Sequence, residues 1–231
     1  MNLSERAKRM EPSAIRAMSK LAAAAGPELI SLAGGMPDPA TFPLERLAEV
    51  AASEIRDHYG KSLQYGQTAG FRPLLDWICR YIARYHIKAS TETVMCATGS
   101  QQALDLITDV MIDPGDLIFV ESPTYIGALI VFRKSGGVMV PILQDNYGVV
   151  VEDLEEKLRS APSNKKKLIY LISNFQNPSG VSINAERRAR VAEVVERYGA
   201  YLIEDDPYGE IYFDDIPPDP IASLIPDRTF Y

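Results

Sequence analysis

Ala97-Thr98-Gly99-Ser100-Gln101-Gln102 sets a glycine turn directly ahead of a segment with helical apolar spacing. Such a turn leaves backbone N–H groups converging on one spot, with the positive end of a helix dipole behind them. That arrangement suits a phosphate. Ser100 could equally be a plain N-cap. Glu121-Ser122-Pro123-Thr124-Tyr125 offers an aromatic ring that could stack on a planar ligand or simply pack on the following helix. Ser173-Asn174-Phe175-Gln176-Asn177-Pro178-Ser179-Gly180 carries an Asn-Pro turn signal. Its Asn177 could also donate an amide hydrogen to a ligand oxygen. Glu204-Asp205-Asp206-Pro207-Tyr208 sets carboxylates side by side after an apolar run. They could cap the next segment, or Asp205 could hold a protonated ring nitrogen while Tyr208 reaches the same ligand.

Each of these stretches follows a short apolar run, and the runs explain how they could meet. Val94–Ala97, Leu117–Val120, Val138–Leu143, Leu168–Ile172 and Tyr201–Ile203 are nearly continuous in apolar character. That pattern predicts parallel strands covered on both faces. Helical stripes lie between them: Ala103, Leu104, Ile107, Val110 and Met111; then Ala128, Leu129 and Phe132; then Leu154 and Leu158; then Val191, Val194, Val195 and Tyr198. Glu152 and Asp153 suit the start of the third helix, and Gly136-Gly137 and Gly199 suit helix ends. Strands alternating with helices imply an α/β fold with a mostly parallel sheet, whose ligands bind beyond the carboxyl ends of the strands. Ahead of this region, residues 12–24 suit a helix starting at Pro12 or Ser13. A Gly- and Pro-rich loop follows from Ser31 to Pro39, and Leu74, Leu75, Ile78 and Ile82 form a further stripe. Lys165-Lys166-Lys167 reads as a solvated loop.

The 231 residues are 46% hydrophobic and 24% charged, enough to bury a substantial core. A net charge of −7 argues against a broad surface for nucleic acid or anionic membrane. No apolar run reaches membrane-spanning length, and the first ten residues are polar rather than signal-like. Cys79 and Cys96 are the only cysteines, which suggests a reducing, cytoplasmic setting. With His58 and His86 isolated as well, no zinc site is expected.

Taken together, Leu32-Ala33-Gly34-Gly35-Met36-Pro37-Asp38, Leu63-Gln64-Tyr65-Gly66, Gly99 to Leu104, Pro123-Thr124-Tyr125, Asn177-Pro178-Ser179-Gly180 and Asp205 to Tyr208 resemble the fold-type I, pyridoxal-phosphate-dependent class I/II aminotransferases. The likeness is to the multisubstrate branch that contains 2-aminoadipate and kynurenine aminotransferases. It implies a three-layer α/β major domain with pyridoxal 5′-phosphate as cofactor, and amino-group transfer between an amino acid and a 2-oxo acid. Ser100 and Gln101 would bind the cofactor phosphate, and Tyr125 would stack on the ring. Asn177 and Tyr208 would bond its phenolic oxygen, and Asp205 would pair with the ring nitrogen. The resemblance further implies a homodimer in which Tyr65 reaches the neighbouring subunit's cofactor phosphate, with Gly34 and Gly35 lying over the substrate.

The resemblance also implies a cofactor-anchoring (Schiff-base) lysine in a Ser-x-x-Lys stretch, at the end of the strand that Arg228-Thr229-Phe230-Tyr231 would begin. It is expected beyond Tyr231, as are the last strands of the sheet and a C-terminal small domain bearing the arginine for the substrate carboxylate. Ser163-Asn164-Lys165-Lys166 fits the motif formally but should lie at the opposite, amino end of the sheet. The expected division is an N-terminal helix and substrate-side loop over 1–45, then a partial cofactor-binding domain over 46–231. Alone, this chain is expected to lack transaminase activity and to be poorly soluble. Another reaction of the same cofactor, a lyase or decarboxylase, stays open on fold grounds, as does a non-catalytic regulator fragment.

Overall fold

The computed structural model describes residues 2–10, 14–25, 29–30 and 35–231. The chain forms two compact units, one of Met1–Met10 with Leu75–Tyr231 and one of Glu11–Leu74. Two helices of the smaller unit are α2 (Ala14–Ala25) and α3 (Leu44–Ser62). The start predicted for α2, at Pro12 or Ser13, lies outside the described residues. α3 is the longest helix described, yet the apolar stripes read from the sequence did not include it. None of its residues is buried, so its apolar positions do not form the covered stripe that marks a core helix. α4 (Arg72–Ile82) begins in this unit and continues into the larger one. Leu75 is its buried anchor, whereas Leu74, expected on the same stripe, is exposed.

The larger unit opens with the short helix α1 (Glu5–Lys8) and is organised by a six-stranded sheet. Its strands are β1 (Leu117–Ser122), β2 (Val138–Asp145), β3 (Gly148–Val149), β4 (Lys167–Leu171), β5 (Tyr201–Glu204) and β6 (Thr229–Phe230), in the order β3-β2-β1-β4-β5-β6. Every pairing is parallel except the short antiparallel contact of β2 with β3. The mostly parallel sheet expected from the sequence is therefore present.

Side chains alternate across the pleat, so each central strand feeds two cores. Phe119, Ile169, Leu171 and Leu202 pack on one face with Leu154, Leu158, Val191 and Val195. Those partners come from α7 (Val151–Ser160) and α8 (Ala185–Arg197). Ile118, Val120, Leu168, Tyr170 and Ile203 pack on the other face with Leu104 and Phe132. These two belong to α5 (Ser100–Met111) and α6 (Ile126–Ser135). Helices on both faces make the three layers, and each fully buried large side chain contributes roughly 1.5–3 kcal/mol. Local signals agree with the packing. α7 starts with Glu152 and Asp153 and ends with Lys157 and Arg159, matching its dipole. α8 starts at Asn184, whose side chain accepts the Arg187 N–H at 2.9 Å.

Three further expectations fail. Val94–Ala97 is not a strand: among the described residues none of its backbone groups is bonded to another backbone group. Strand composition makes a strand only beside a partner that completes the ladder. β2 is not covered on both faces, since Val138 and Leu143 are exposed and Ile142 alone is fully buried. Only the two-residue β3 lies beyond it in the sheet. Val110 is 78% exposed, and Thr108 takes the buried position on α5 by bonding back to the Leu104 carbonyl at 2.9 Å. Among the described residues no helix is long and apolar enough to cross a membrane.

Candidate functional site

The parallel register brings the strand ends that carry the sequence motifs to one edge. Val120 lies opposite Tyr170, and Tyr170 opposite Ile203, so β1, β4 and β5 release their following loops together. Side chains then cross-link those loops. Gln176, after β4, donates to the Pro123 carbonyl at 2.9 Å, and Gln144 of β2 donates to the same oxygen at 2.6 Å. Asn174 donates to Asp206 at 3.0 Å, as does the Tyr231 hydroxyl. Arg188 of α8, fully buried, donates to the carbonyls of Ser173, Ile183, Pro218 and Asp219 and to the Asn174 side chain. Glu204 accepts from Ser173 and from the Ile221 and Ala222 N–H groups. The site edge is thus a braced structure rather than a set of free loops.

Ser100 is not the N-cap that its residue type allowed; it is the first helical residue of α5, and the cap is Gly99 at φ +80°. That backbone conformation is open to glycine at little cost. Gln102 bonds back to the Thr98 N–H at 2.5 Å and steadies the turn. The carbonyl of the cap, Gly99, accepts the N–H groups of Gln102 and Ala103. The Ser100 and Gln101 N–H groups have no acceptor among the described residues, as expected for the first turn of a helix. The Gln101 side chain ties α5 to α6 by donating to the Gly127 carbonyl at 2.9 Å. Tyr125 is the residue ahead of α6, and its ring lies so close over Gly127 that a Cβ there would sit 2.3 Å from ring carbon Cζ.

Asp205 leaves β5 with its N–H bonded to the Leu171 carbonyl at 2.9 Å. Its Oδ2 accepts the Tyr170 hydroxyl at 2.8 Å, while Oδ1 has no partner among the described residues. Neither Asp205 nor Asp206 caps a helix. Burial raises the Asp205 carboxyl above its ordinary range, the Tyr170 bond pulls it back, and the charge of Asp206 pushes it up. Burial and the neighbouring Asp205 charge push the Tyr170 phenol up, so that it stays a neutral donor. Asn177 and Tyr208 are half-buried, and neither side chain is hydrogen-bonded among the described residues.

Glu121, at the end of β1, is 1% exposed. Its Oε2 accepts the Ile172 N–H at 3.0 Å and Gln176 at 3.4 Å, while Oε1 is buried with no partner among the described residues. Burial pushes its carboxyl up to about 8, against the pull of those two donors.

Gly35 and Tyr65 belong to the smaller unit, both exposed, Tyr65 at 99%. Gly34 lies outside the described residues. Lys165 and Lys166 immediately precede β4, and the Lys166 carbonyl accepts the Leu117 N–H at the start of β1. They therefore sit at the amino edge of the sheet, away from the motifs. Sequence reading assigned no role to Tyr170 or Arg188. Tyr170 sat inside an apolar run and Arg188 among charged helix positions, so neither stood out by type or spacing.

The sequence profile of the family "Aminotransferase class I and II" matches residues 27–228. The chain is 43% identical over 223 residues to the aromatic-amino-acid aminotransferase 1 of Thermococcus litoralis, covering 95% of this chain and 53% of that protein. It is 37% identical over 205 residues to the 2-aminoadipate transaminase of Thermus thermophilus, covering 89% of this chain and 49% of that one. Among solved structures, the kynurenine aminotransferase of Pyrococcus horikoshii, in complex with PMP, superposes with a TM-score of 0.89 at 39% identity. That match covers 99% of this chain and 57% of the other. The chain thus spans about half the length of the curated relatives it matches.

Proposed function

The chain belongs to the class I and II aminotransferases, and from that premise we propose that its strand-end cluster is the cradle for pyridoxal 5′-phosphate in a protein that moves an amino group between an amino acid and a 2-oxo acid. The observation that carries this reading is the Asp205 carboxylate at the end of β5, with Tyr170 on one oxygen and no protein donor described on the other. The donor set fits the cofactor. The Ser100 and Gln101 N–H groups at the start of α5 suit its phosphate. The Asn177 amide and Tyr208 phenol suit its phenolic oxygen, and the Tyr125 ring suits its face.

When bound, the cofactor supplies a sink for the electron pair left by removal of the substrate's α-proton. Asp205 holds a proton on the ring nitrogen, because an anion beside a cation favours the charged form of both. The bracing around Pro123 and Asn174 fixes where Tyr125 and Asp206 stand, so the ring meets a preformed surface. Because the chain spans about half the length of its curated relatives, the transfer reaction is proposed for the whole protein and the cofactor cradle for the residues described. Gly34 and Gly35 would cover the substrate, within a helix-and-loop segment over 1–45. Tyr65 would serve a second subunit's phosphate in a homodimer, and its near-complete exposure is consistent with that role. A cytoplasmic setting accords with Cys79 and Cys96 being free thiols.

The test is a titration with pyridoxamine 5′-phosphate, the amine form of the cofactor, which binds without a lysine. The parent should bind, and Asp205→Asn should lose at least about tenfold in affinity from the lost charge pair. Unchanged affinity in that variant would overturn the reading. For the reaction, the whole protein incubated with amino acids and 2-oxoglutarate should yield amino transfer. Ammonia or CO2 release without transfer would instead assign a lyase or decarboxylase.

A further inference from the structure

We propose that Tyr170 is a positioning residue for the cofactor's ring nitrogen: its buried hydroxyl fixes Oδ2 of Asp205 and leaves Oδ1 as the oxygen that meets the ring. This inference rests on the cofactor reading above and deepens it. Tyr170 is fully buried in the middle layer of the sheet, opposite Val120 of β1 and Ile203 of β5. Its ring sits edge-on to Phe132 of α6, with centroids 5.3 Å apart and planes at 71°. Packing holds the ring in place, and its hydroxyl meets Asp205 Oδ2 at 2.8 Å.

A carboxylate with both oxygens free can rotate and present either one. With one oxygen bound by a rigid donor, the plane of the group and the identity of the free oxygen are both set. The bond also favours the ionised carboxylate, since a hydroxyl donor stabilises the charged form. That matters here because the surroundings oppose ionisation: burial and the Asp206 charge both raise the Asp205 carboxyl, and Tyr170 is the group pulling it down. The other charged or titratable groups nearby are Glu121 and Tyr125, acting on Tyr170, Tyr231, which donates to Asp206, and Arg188 of α8, acting with Glu204, Asp206 and Asp219. None of these donates to Asp205. A tyrosine placed for packing alone would need no such alignment with the carboxylate that the ring requires.

The test measures the affinity of the purified protein for pyridoxamine 5′-phosphate across pH, for the parent, Tyr170→Phe and Asp205→Asn. Losing the Tyr170 hydroxyl raises the Asp205 carboxyl further, so the acid limb of binding should move up by about one pH unit. Affinity at neutral pH should fall about tenfold. The nitrogen-15 shift of ring-labelled pyridoxamine phosphate gives a second readout, because the fraction of protonated ring nitrogen should fall in Tyr170→Phe. A fluorinated tyrosine at position 170, a stronger donor of nearly the same shape, should move the limb the other way and does not depend on Tyr170→Phe folding well. If Asp205→Asn loses binding while the Tyr170 variants keep the parent's limb and nitrogen shift, the positioning role is overturned and the cofactor reading stands. A uniform loss in Tyr170→Phe at every pH, with no shift of the limb, overturns it equally. If Asp205→Asn binds like the parent, the cofactor reading itself fails and takes this inference with it.

Discussion

Glu121 shows what a single residue costs when the fold buries it. Its carboxyl ends β1 with one oxygen bonded and the other buried without a partner among the described residues, and burial pushes it up to about 8. An unfolded chain holds the same group near 4.5. Between those values the folded protein binds more protons than the unfolded one, so its stability falls as pH rises. Glu121→Gln keeps the shape and removes the titration. Relative to the parent it should gain stability steadily from pH 4.5 to about 8, by on the order of a few kcal/mol in all. Urea midpoints of the two proteins measured across that window check this; a difference that stays flat with pH would show that Glu121 is ionised in the fold. Asp205 differs in kind: only half-buried, it has a rigid donor on one oxygen and no described donor on the other.

At the scale of elements, Arg188 determines whether α8 and the loops after β4 and β5 act as one piece. Its guanidinium reaches the carbonyls of Ser173, Ile183, Pro218 and Asp219 from a fully buried position. Arg188→Leu would leave those acceptors unsatisfied and should cost about 3 kcal/mol in urea denaturation. A loss under about 0.5 kcal/mol would show that the loops hold themselves. The same element shows the limit of sequence reading. Val191, Val194 and Val195 announce the buried face of α8 by their spacing, but Arg188 looks like one more solvated arginine beside Arg187 and Arg190. Periodicity reports which face is apolar, not which charged side chain the fold will enclose. Val94–Ala97 fails in the opposite sense, since its composition suits a strand but among the described residues it joins no backbone ladder.

For the molecule as a whole, apolar side chains without cover set the behaviour in solution. Leu44, Leu47, Ile55 and Leu63, along α3 and just past it, are all more than half exposed. Exposed apolar side chains of this kind favour association where they gather into a patch. The 231-residue chain should therefore run as a dimer or larger species in size-exclusion chromatography with light scattering at micromolar concentration. A monodisperse 25.6 kDa monomer with a cooperative melt would contradict both this expectation and the poor solubility anticipated from the sequence.

From β1 onward the sequence alone determined the alternation of strand and helix, the mostly parallel sheet and the stretches that end β1, β4 and β5; the Gly99 turn follows no strand. These are local matters: apolar spacing selects the element, and glycine, proline and carboxylates mark where it stops. Asp205 was legible as a candidate partner for a ring nitrogen by its type and its place after a strand. Only the tertiary structure decided that Tyr170, read as one more residue of an apolar run, turns its hydroxyl onto that carboxylate. It likewise decided that Gly99 rather than Ser100 caps α5, and that Arg188 is enclosed. Such choices depend on which strands lie side by side and in what register, and that pairing links residues 35 positions apart, as between Tyr170 and Asp205. No local pattern encodes it.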